Sequence, residues 1–108
     1  MARNVTMLRL TKKLAEQRIH ERAKTSANIF LTRHAKDRMA ERDIVRQDVD
    51  RALQGGCLAG EPEPANEGEW KCKIVLPIKG RSRDLGVVVI LRSDGRLVVK
   101  TVEWEDQK

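Results

Sequence analysis

The sequence predicts an α+β fold, with an antiparallel β-sheet of about four strands, a helical hairpin packed on one face of that sheet, and an N-terminal helical arm. Residues 1–26 contain no Gly or Pro and are rich in helix-forming residues. Residues 33–54 hold two further helical segments, and residues 70–104 hold three segments with the alternation and β-branched residues of strands. Helical segments followed by a run of strands favour helices gathered on one side of an antiparallel sheet.

The predicted arm, residues 1–26, is basic, with seven Lys or Arg residues against two Glu residues. A helix is expected over roughly residues 7–24, but its apolar side chains do not form one stripe. They divide between two flanks, one with Met7, Leu10 and Leu14 and the other with Leu8, Ala15 and Ile19. We therefore expect a peripheral arm that packs on its own domain, on a partner or on RNA, rather than a core helix, and we expect His20 at its surface. Residues 27–108 then form a single α+β domain.

Two short helices make up the predicted hairpin. Residues 28–32, NIFLT, favour a short strand, and the hydroxyl of Thr32 can cap the next helix, which is expected to run to Arg42. The second helix is indicated by the helical spacing of Val49, Ala52 and Leu53. Gly55-Gly56 is expected to end it.

Three strands are predicted after a loop. Residues 57–69 carry two Pro, two Gly and four Glu without periodicity, which favours a loop. The segment from Trp70 to Ile78 alternates, with apolar residues on one face and lysines on the other. Residues 85–91, LGVVVIL, are apolar on both faces and predict the central strand. After the turn signal Ser93-Asp94-Gly95, residues 96–104 are expected to return antiparallel to it.

The charge of the chain favours an acidic partner. Its 108 residues are 40% hydrophobic and 35% charged, with a net charge of +6 and a pI near 9.7. Nucleic acid is the commonest partner of such a basic protein, although a basic surface also serves solubility alone. The cations are concentrated, since residues 70–101 hold eight Lys or Arg against two Asp, while residues 55–69 hold four Glu and no cation.

No segment predicts a membrane span, a secretion signal or a metal site. No apolar run approaches the roughly 20 residues that cross a bilayer, and the N-terminus lacks the apolar stretch of a signal peptide. The expected compartment is therefore the cytoplasm. Cys57 and Cys72 are 15 residues apart, with no CxxC and no clustered His, so we expect buried or idle thiols, no metal and no cofactor.

The candidate site lies on the first helix of the hairpin, in the segment LTRHAKDRMAERDI. Around a helix of 3.6 residues per turn, Arg38 lies about 40° and Arg42 about 80° from His34. This stripe borders the seam of Ala35 and Met39, which we expect to be buried. Side chains at such a boundary have packed stems and reachable heads, which favours chemistry.

Histidine and arginine suit phosphate transfer, because histidine exchanges a proton near neutral pH and the arginine fork matches a phosphate. Cleavage of RNA without a metal needs a base for the 2′-OH, an acid for the leaving 5′ oxygen, and cations for the charge that develops on phosphorus. The residues that can supply these groups are His34, Arg38, Arg42 and Lys73. In a purely structural interpretation, the arginines only pair with neighbouring carboxylates, namely Asp37, Glu41 and Asp43.

The phrase HAKDRMAERDI, followed by DVDRAL, an acidic loop, three strands and a closing KTVEW, resembles the domain of unknown function 4258 family over roughly residues 29–104. Its members are similar in the pattern H-A-x-x-R-M-x-E-R-G-I, a second helix, and strands that end in a T-V-aromatic segment. Asp43 stands where the family has Gly, so it is expected to adopt the left-handed turn between the helices, which Asp tolerates better than most residues. Val45 replaces the family's Ser/Thr cap, and Trp104 takes the closing aromatic position, where an indole can stack on a base.

This family is similar to the RelE/barnase-like fold of small ribonuclease toxins, so the resemblance implies a sheet with helices on one side, and RNA cleavage. The first hypothesis is therefore a metal-independent endoribonuclease toxin, with His34 as acid or base, Arg38 and Arg42 on the phosphate, and Thr101 bonded to the substrate. An acidic antitoxin or immunity protein would cover the basic sheet face. The residues expected to guide the RNA are Lys71, Lys73, Lys79, Arg81 and Arg83.

Two alternatives remain open. The same basic face can hold nucleic acid or an acidic protein without catalysis, in which case replacing His34 should barely matter while replacing Lys73 or Arg81 should weaken binding. The chain can also be a structural subunit of a larger assembly, with the arm of residues 1–26 as the contact between subunits.

Overall fold

The structure is a computed structural model, and it describes residues 10–78 and 83–105. Within these two ranges the chain forms three α-helices, one 3-10 turn and six strands. The helices are α1 Lys12–Ala23, α2 Arg33–Arg42 and α3 Arg46–Gly55, and the 3-10 turn is Ser26–Asn28. The strands are β1 Ile29–Leu31, β2 Cys57–Leu58, β3 Glu63–Pro64, β4 Trp70–Ile78, β5 Arg83–Leu91 and β6 Leu97–Trp104.

The strands form one mixed sheet in the order β1-β6-β5-β4-β2, with β3 also paired to β4. The three long strands are antiparallel neighbours, with β5 at the centre as the sequence predicts. The α+β class is confirmed, but two details of the prediction need correction. β1 pairs with β6 in parallel, and the predicted loop of residues 57–69 contributes two short strands that pair with the outer side of β4.

The core lies between the helices and one face of the sheet. The buried apolar residues on the three long strands alternate as β-geometry requires except at a register shift in β6, and they are Cys72, Ile74, Leu85, Val87, Val89, Leu91, Leu97, Val99, Val102 and Trp104. The helices meet them with Ala35 from α2 and with Val49, Ala52 and Leu53 from α3. The other face of the sheet, which we call the open face, carries the alternate residues of the same strands.

Helix α1 is part of this core, which corrects the prediction of a peripheral arm. Ala15, Ile19 and Ala23 are fully buried and belong to the same apolar cluster as the sheet. The helix packs chiefly against α3, so α3 has α1 rather than α2 as its helical neighbour. Alanine adds little to the apparent hydrophobicity of a stripe, and this is why the sequence pattern is weak although the contact is close. The predicted start of this helix at residue 7, and Met7 and Leu8 with it, lie outside the described residues.

The expectation of a surface position for His20 also needs correction. His20 is half-buried, and its Nε2 lies 2.6 Å from the Gly56 carbonyl oxygen, to which a protonated Nε2 donates. Two further bonds join α1 to β2 and to α3, from the Leu58 N–H to Glu16 Oε1 at 2.8 Å and from Gln54 Nε2 to the Ala23 carbonyl at 3.1 Å. The segment from residue 12 onward is therefore bonded to the domain by side chains as well as by packing.

The helix ends have the predicted chemistry. Asp43 adopts the left-handed conformation, with φ 57° and ψ 49°, at the end of α2. Val45 precedes α3 and makes no side-chain capping bond, and α3 ends at Gly55. Among the described residues, no helix is long and apolar enough to cross a membrane.

Candidate functional site

Helix α2 is held against β6 at both of its ends. At the start, the Ala35 N–H donates to Thr32 Oγ1 at 3.1 Å, and the same hydroxyl donates to the Val99 carbonyl at 3.0 Å. At the end, Trp104 Nε1 donates to the Arg42 carbonyl at 2.9 Å. The ten residues of α2, at about 1.5 Å each, span about the same length as five strand residues at about 3.3 Å each. The helix therefore runs beside the second half of β6, from Val99 to Trp104. The predicted cap at Thr32 is confirmed, and it also joins the helix to the sheet.

The predicted stripe on α2 lies at the border of the core. Ala35 is fully buried and Met39 packs against the core, whereas Arg38 and Arg42 are half-buried. His34, in the first turn of α2, is exposed and makes no hydrogen bond or ion pair with any described residue. The arginine side chains are therefore partly packed, while the histidine ring is exposed to solvent.

The open face brings Thr101 into line with Lys73. Lys73, Val88 and Thr101 are paired across β4, β5 and β6. A register shift between Val88 and Val89 lets Thr101 occupy this face, because the extra residue in β6 reverses the alternation. Thr101 is half-buried, and its hydroxyl makes no hydrogen bond with the described residues.

Lys73 pairs with two carboxylates on the open face. Its Nζ lies 3.0 Å from Glu103 Oε2 and 2.9 Å from Glu105 Oε1. Gly86, in β5, lies under the contact between Lys73 and Glu105. A methyl group at position 86 would overlap the Glu105 carboxylate and come within 3.1 Å of Lys73 Cε. A glycine in a central strand costs stability, so its presence here is explained by the space that this ion pair occupies.

The pairing shifts the pKa of both partners. Partial burial acts to lower the pKa of Lys73, but hydrogen bonds to Glu105 and Glu103 outweigh it, and the pKa is raised above its ordinary value of 10.5. The hydrogen bond from Lys73 lowers the pKa of Glu103 below 4.5 against the opposing effect of burial, and the charge of Arg42 adds to this. Both groups are therefore charged at neutral pH, and Arg42 is close enough to Glu103 for α2 and the sheet to share one electrostatic cluster.

This cluster contains as many carboxylates as cations. Arg38 donates to Glu41 through a charged hydrogen bond, and Arg42 Nη1 lies 3.6 Å from the same carboxylate. The cluster consists of Arg38, Arg42 and Lys73 with Glu41, Glu103 and Glu105. Two of its buried atoms, Arg42 Nη1 and Glu105 Oε2, have no hydrogen-bond partner among the described residues. The cluster thus retains one shielded donor and one shielded acceptor.

The other predicted site residues are spread over both faces. Lys71 is exposed on the open face, where it pairs in register with Ile90. Arg83 lies on the helix side of the sheet, with its guanidinium carbon 4.5 Å from the centre of the Trp104 ring. Lys79 and Arg81 lie outside the described residues. Trp104 is only 2% exposed, so the expectation that its ring can stack on a base is wrong.

Sequence reasoning did not find the carboxylates of the site. Glu41 was considered only as a surface partner of the arginines, and Glu103 and Glu105 were not singled out. A signal for the two glutamates does exist in β6, because Val99 and Val102 are both apolar and three positions apart, which a regular strand cannot place on one face. Such a break predicts a bulge, and a bulge places Thr101 and Glu103 together on the opposite face.

The two thiols lie on different sides of the sheet. Cys57 is exposed, and Cys72 is buried, which raises its pKa from 9.0 to about 11. A thiol with such a raised pKa is protonated and unreactive at neutral pH. In the part of the chain that the structure describes, no three His, Cys, Asp or Glu side chains are grouped as metal ligands.

The fold and the site define a small mixed-sheet α+β domain with a cluster of cations and carboxylates where a helix borders the open face. A family model described as Domain of unknown function (DUF4258) matches residues 31–104, and the chain belongs to this family. The resemblance seen in the sequence is therefore confirmed. No curated protein and no solved structure matches the chain. The family match contains α2, the three long strands and nearly all of the cluster, and it leaves out α1.

Proposed function

We propose that this domain is a metal-independent endoribonuclease of the toxin type, which acts on RNA in the cytoplasm. The observation that carries the proposal is the half-buried guanidinium of Arg42, a member of the cluster, whose Nη1 has no hydrogen-bond partner among the described residues and has a long ion pair, at 3.6 Å, with Glu41. A phosphate oxygen is a suitable acceptor for such a donor. The resemblance to the RelE/barnase-like ribonuclease fold, which the sequence pattern alone implies, adds an analogy of fold to the proposal.

In the proposed reaction, the 2′-oxygen of RNA attacks the adjacent phosphorus, and the bond from phosphorus to the 5′ oxygen breaks. A base removes the 2′-OH proton and an acid supplies a proton to the 5′ oxygen, so the products are a 2′,3′-cyclic phosphate and a free 5′-OH. His34 acts as the acid or the base, Arg38 and Arg42 hold the phosphate, and Thr101 donates a hydrogen bond to the substrate. Positions 34 and 42 are roughly 12 Å apart along the helix axis. The side chains of Arg38 and Arg42 are long enough to extend along part of this distance toward His34.

The carboxylates of the cluster oppose phosphate binding. Because Glu103 pairs with Lys73, a phosphate that binds to Lys73 must compete with a negative charge that is already in place. Glu103→Gln removes this charge and is expected to raise the affinity for RNA severalfold. If cleavage also persists in this variant, Glu103 is a counter-ion, whereas loss of cleavage with tight binding would assign it a role in proton transfer.

The proposed partners are RNA and an acidic protein, because both carry the negative charge that suits the lysines of the open face. Lys71 and Lys73, on the open face, are proposed to guide RNA toward the cluster, and the sequence adds Lys79 and Arg81 as further candidates. Arg83 lies on the helix side of the sheet against Trp104 and is therefore left out of this proposed path. An acidic antitoxin or immunity protein is proposed to cover the open face, since a complementary negative patch gives fast association and excludes RNA.

The experiment that tests the proposal is cleavage of total RNA in EDTA by the wild type and by His34→Ala at equal concentration. His34 is exposed, so the variant should fold normally, and we expect it to bind RNA as the wild type does but not to cut it. Equal cutting by both proteins would remove His34 from the mechanism. If neither protein cuts RNA, the proposal that the domain is a ribonuclease is overturned.

A second candidate function is a binding module without catalysis. It is favoured by one observation, that no described residue bonds to the His34 ring, whereas a catalytic histidine is ordinarily oriented by a partner on its second nitrogen. In this case neither protein cuts RNA and both bind it equally. Replacing Lys71 would then weaken binding and reduce its salt dependence.

A further inference from the structure

Phe30 is an exposed aromatic residue on the open face of the sheet. Its side chain is 60% exposed, and it is the only Phe in a chain that has two Trp and no Tyr. Phe30 lies on β1, an edge strand whose partner on one side is β6. Burying a Phe side chain stabilises a protein by about 1.5–3 kcal/mol, and an exposed Phe does not contribute this free energy to folding. The Phe30 ring is therefore available for contact with a ligand.

The surroundings of Phe30 form a shallow site of mixed character. Arg92, Arg96 and Val98 line a cavity of about 240 Å³ together with the Phe30 ring. This volume is below the roughly 300–1,000 Å³ of drug-sized pockets, so the site suits one flat group rather than a whole small molecule. Val98 pairs in register with both Phe30 and Ile90, which makes the floor of the site apolar on the open face.

The charge around this cavity is positive by one unit. Arg92 contacts Asp94 at 3.4 Å and Glu69 at 3.7 Å, and Arg96 reaches Asp94 only at 3.9 Å. Arg22 donates to the Arg92 carbonyl at 2.9 Å, and its charge adds to theirs. Three guanidinium groups thus face two carboxylates, and the Arg96 side chain is largely exposed and able to turn toward a phosphate.

We propose that the Phe30 cavity binds one base of a single-stranded RNA, with the base stacked on the Phe30 ring and Arg96 on the adjacent phosphate. An aromatic ring beside an arginine is the arrangement that holds unpaired nucleotides, and it discriminates against duplexes because paired bases do not present their faces. This inference rests on the proposed function, because it names the single-stranded form of the same RNA ligand.

The test uses a probe that cannot be cut. A fluorescent single-stranded oligonucleotide of about ten nucleotides, 2′-O-methylated throughout, lacks the attacking hydroxyl, so its affinity is measured without cleavage. Phe30→Ala is expected to bind it about five- to a hundredfold more weakly than the wild type, and Phe30→Leu to bind it nearly as weakly, whereas Phe30→Trp should keep the affinity. Val45→Ala is the matched control, because Val45 is also an exposed apolar residue, at 51%, and should bind as the wild type does.

The outcomes separate this inference from the proposed function. Equal binding by the wild type, Phe30→Ala and Phe30→Leu overturns the stacking site, and the ribonuclease proposal stands if RNA is still cut. No binding of the probe by the wild type together with no cleavage overturns both. If Phe30→Ala instead converts a dimer to a monomer in size-exclusion chromatography with unchanged affinity for the probe, the patch is a contact between copies, and the site is overturned.

A duplex probe completes the test. A blunt-ended duplex of the same composition presents phosphates but pairs every base, so its affinity should be the same for the wild type and Phe30→Ala. An equal loss of affinity for the duplex would show that Phe30→Ala weakens the basic surface as a whole, and this would also overturn the stacking site.

Discussion

Lys73 is the residue on which the candidate site depends most. It contacts Glu103 and Glu105 from β6 and the segment just after it, and its stem lies over Gly86. All three charged side chains are partly exposed, so each ion pair is worth less than a buried one. The two ion pairs of Lys73 therefore hold the three charged groups in place more than they stabilise the fold.

Replacing Lys73 should have a modest and pH-dependent effect on stability. Lys73→Gln removes the ammonium group that pairs with Glu103 and Glu105, and we expect the free energy of unfolding at pH 7 to fall by about 1 kcal/mol. The lowered pKa of Glu103 means that its contribution is present above its unfolded pKa and is lost as the pH falls through the folded pKa. The raised pKa of Lys73 means that its contribution is lost only as the pH rises through the folded value, above 10.5. The difference between wild type and variant should thus be largest between about pH 5 and pH 10.

Urea unfolding at pH 7 and pH 3 measures this difference. Lys71→Gln is the control, because Lys71 is exposed on the same strand and has no ion pair with the described residues, and its effect should stay within about 0.5 kcal/mol. A Lys73→Gln difference that is the same at both pH values would contradict the assignment of the cluster.

At the scale of elements, the bond network of Thr32 determines where α2 lies. Its hydroxyl caps the helix and also donates to the Val99 carbonyl, so one side chain satisfies both the helix and the sheet. Thr32→Ala is expected to lower the free energy of unfolding by about 1–2 kcal/mol, as for the loss of a helix cap. Thr32→Ser keeps the hydroxyl and should recover most of this. Thermal unfolding of the three proteins measures the effect, and equal losses in both variants would show that the methyl group, not the hydroxyl, is responsible.

Helix α1 should behave as a structural part of the domain. Ile19 is fully buried, so Ile19→Ala is expected to lower the free energy of unfolding by about 2–4 kcal/mol through lost burial and a cavity. Leu14 lies on the same helix but is 39% exposed, and Leu14→Ala should cost less than about 1 kcal/mol. Chemical denaturation compares the two variants. A small and equal cost for both would restore the interpretation of α1 as a peripheral arm.

Local patterns predicted those elements whose signals lie within one segment. The alternation of β4, the apolar run of β5 and the cap at Thr32 depend on neighbouring residues, and each is confirmed. The parallel pairing of β1 with β6 joins Ile29 to Leu97, and no local pattern encodes that contact. The strands β2 and β3 have two residues each, which is too short for a periodic signal.

The site was predictable only in part for the same reason. Helical spacing places His34, Arg38 and Arg42 on one stripe without any tertiary information. That Glu103 meets Lys73 depends on strand register and on the bulge in β6, which must be inferred from the spacing of Val99 and Val102. The residues of the helix were therefore found, and the carboxylates on the sheet were missed.

At the scale of the whole molecule, the paired charges limit how strongly RNA binding can depend on salt. The net charge is +6, and the cations of the cluster are already neutralised by glutamates. Each phosphate contact to a single strand contributes about −0.7 to the slope of log K against log salt, so we expect a slope no steeper than about −4. Binding of the uncleavable oligonucleotide between about 50 and 200 mM salt measures it. A slope near zero would exclude a phosphate-directed interaction.

The pairing of β1 with β6 has a consequence for biosynthesis. The residues that pair, Ile29 and Leu97, are 68 positions apart. At about 5–20 residues per second, the ribosome needs roughly 3–14 s to produce the second strand after the first. During that interval the apolar sides of the helices have no complete sheet to pack against. The nascent chain is thus more exposed to proteases and chaperones before β6 emerges, and the site that α2 and β6 form together cannot assemble until β6 has been synthesised.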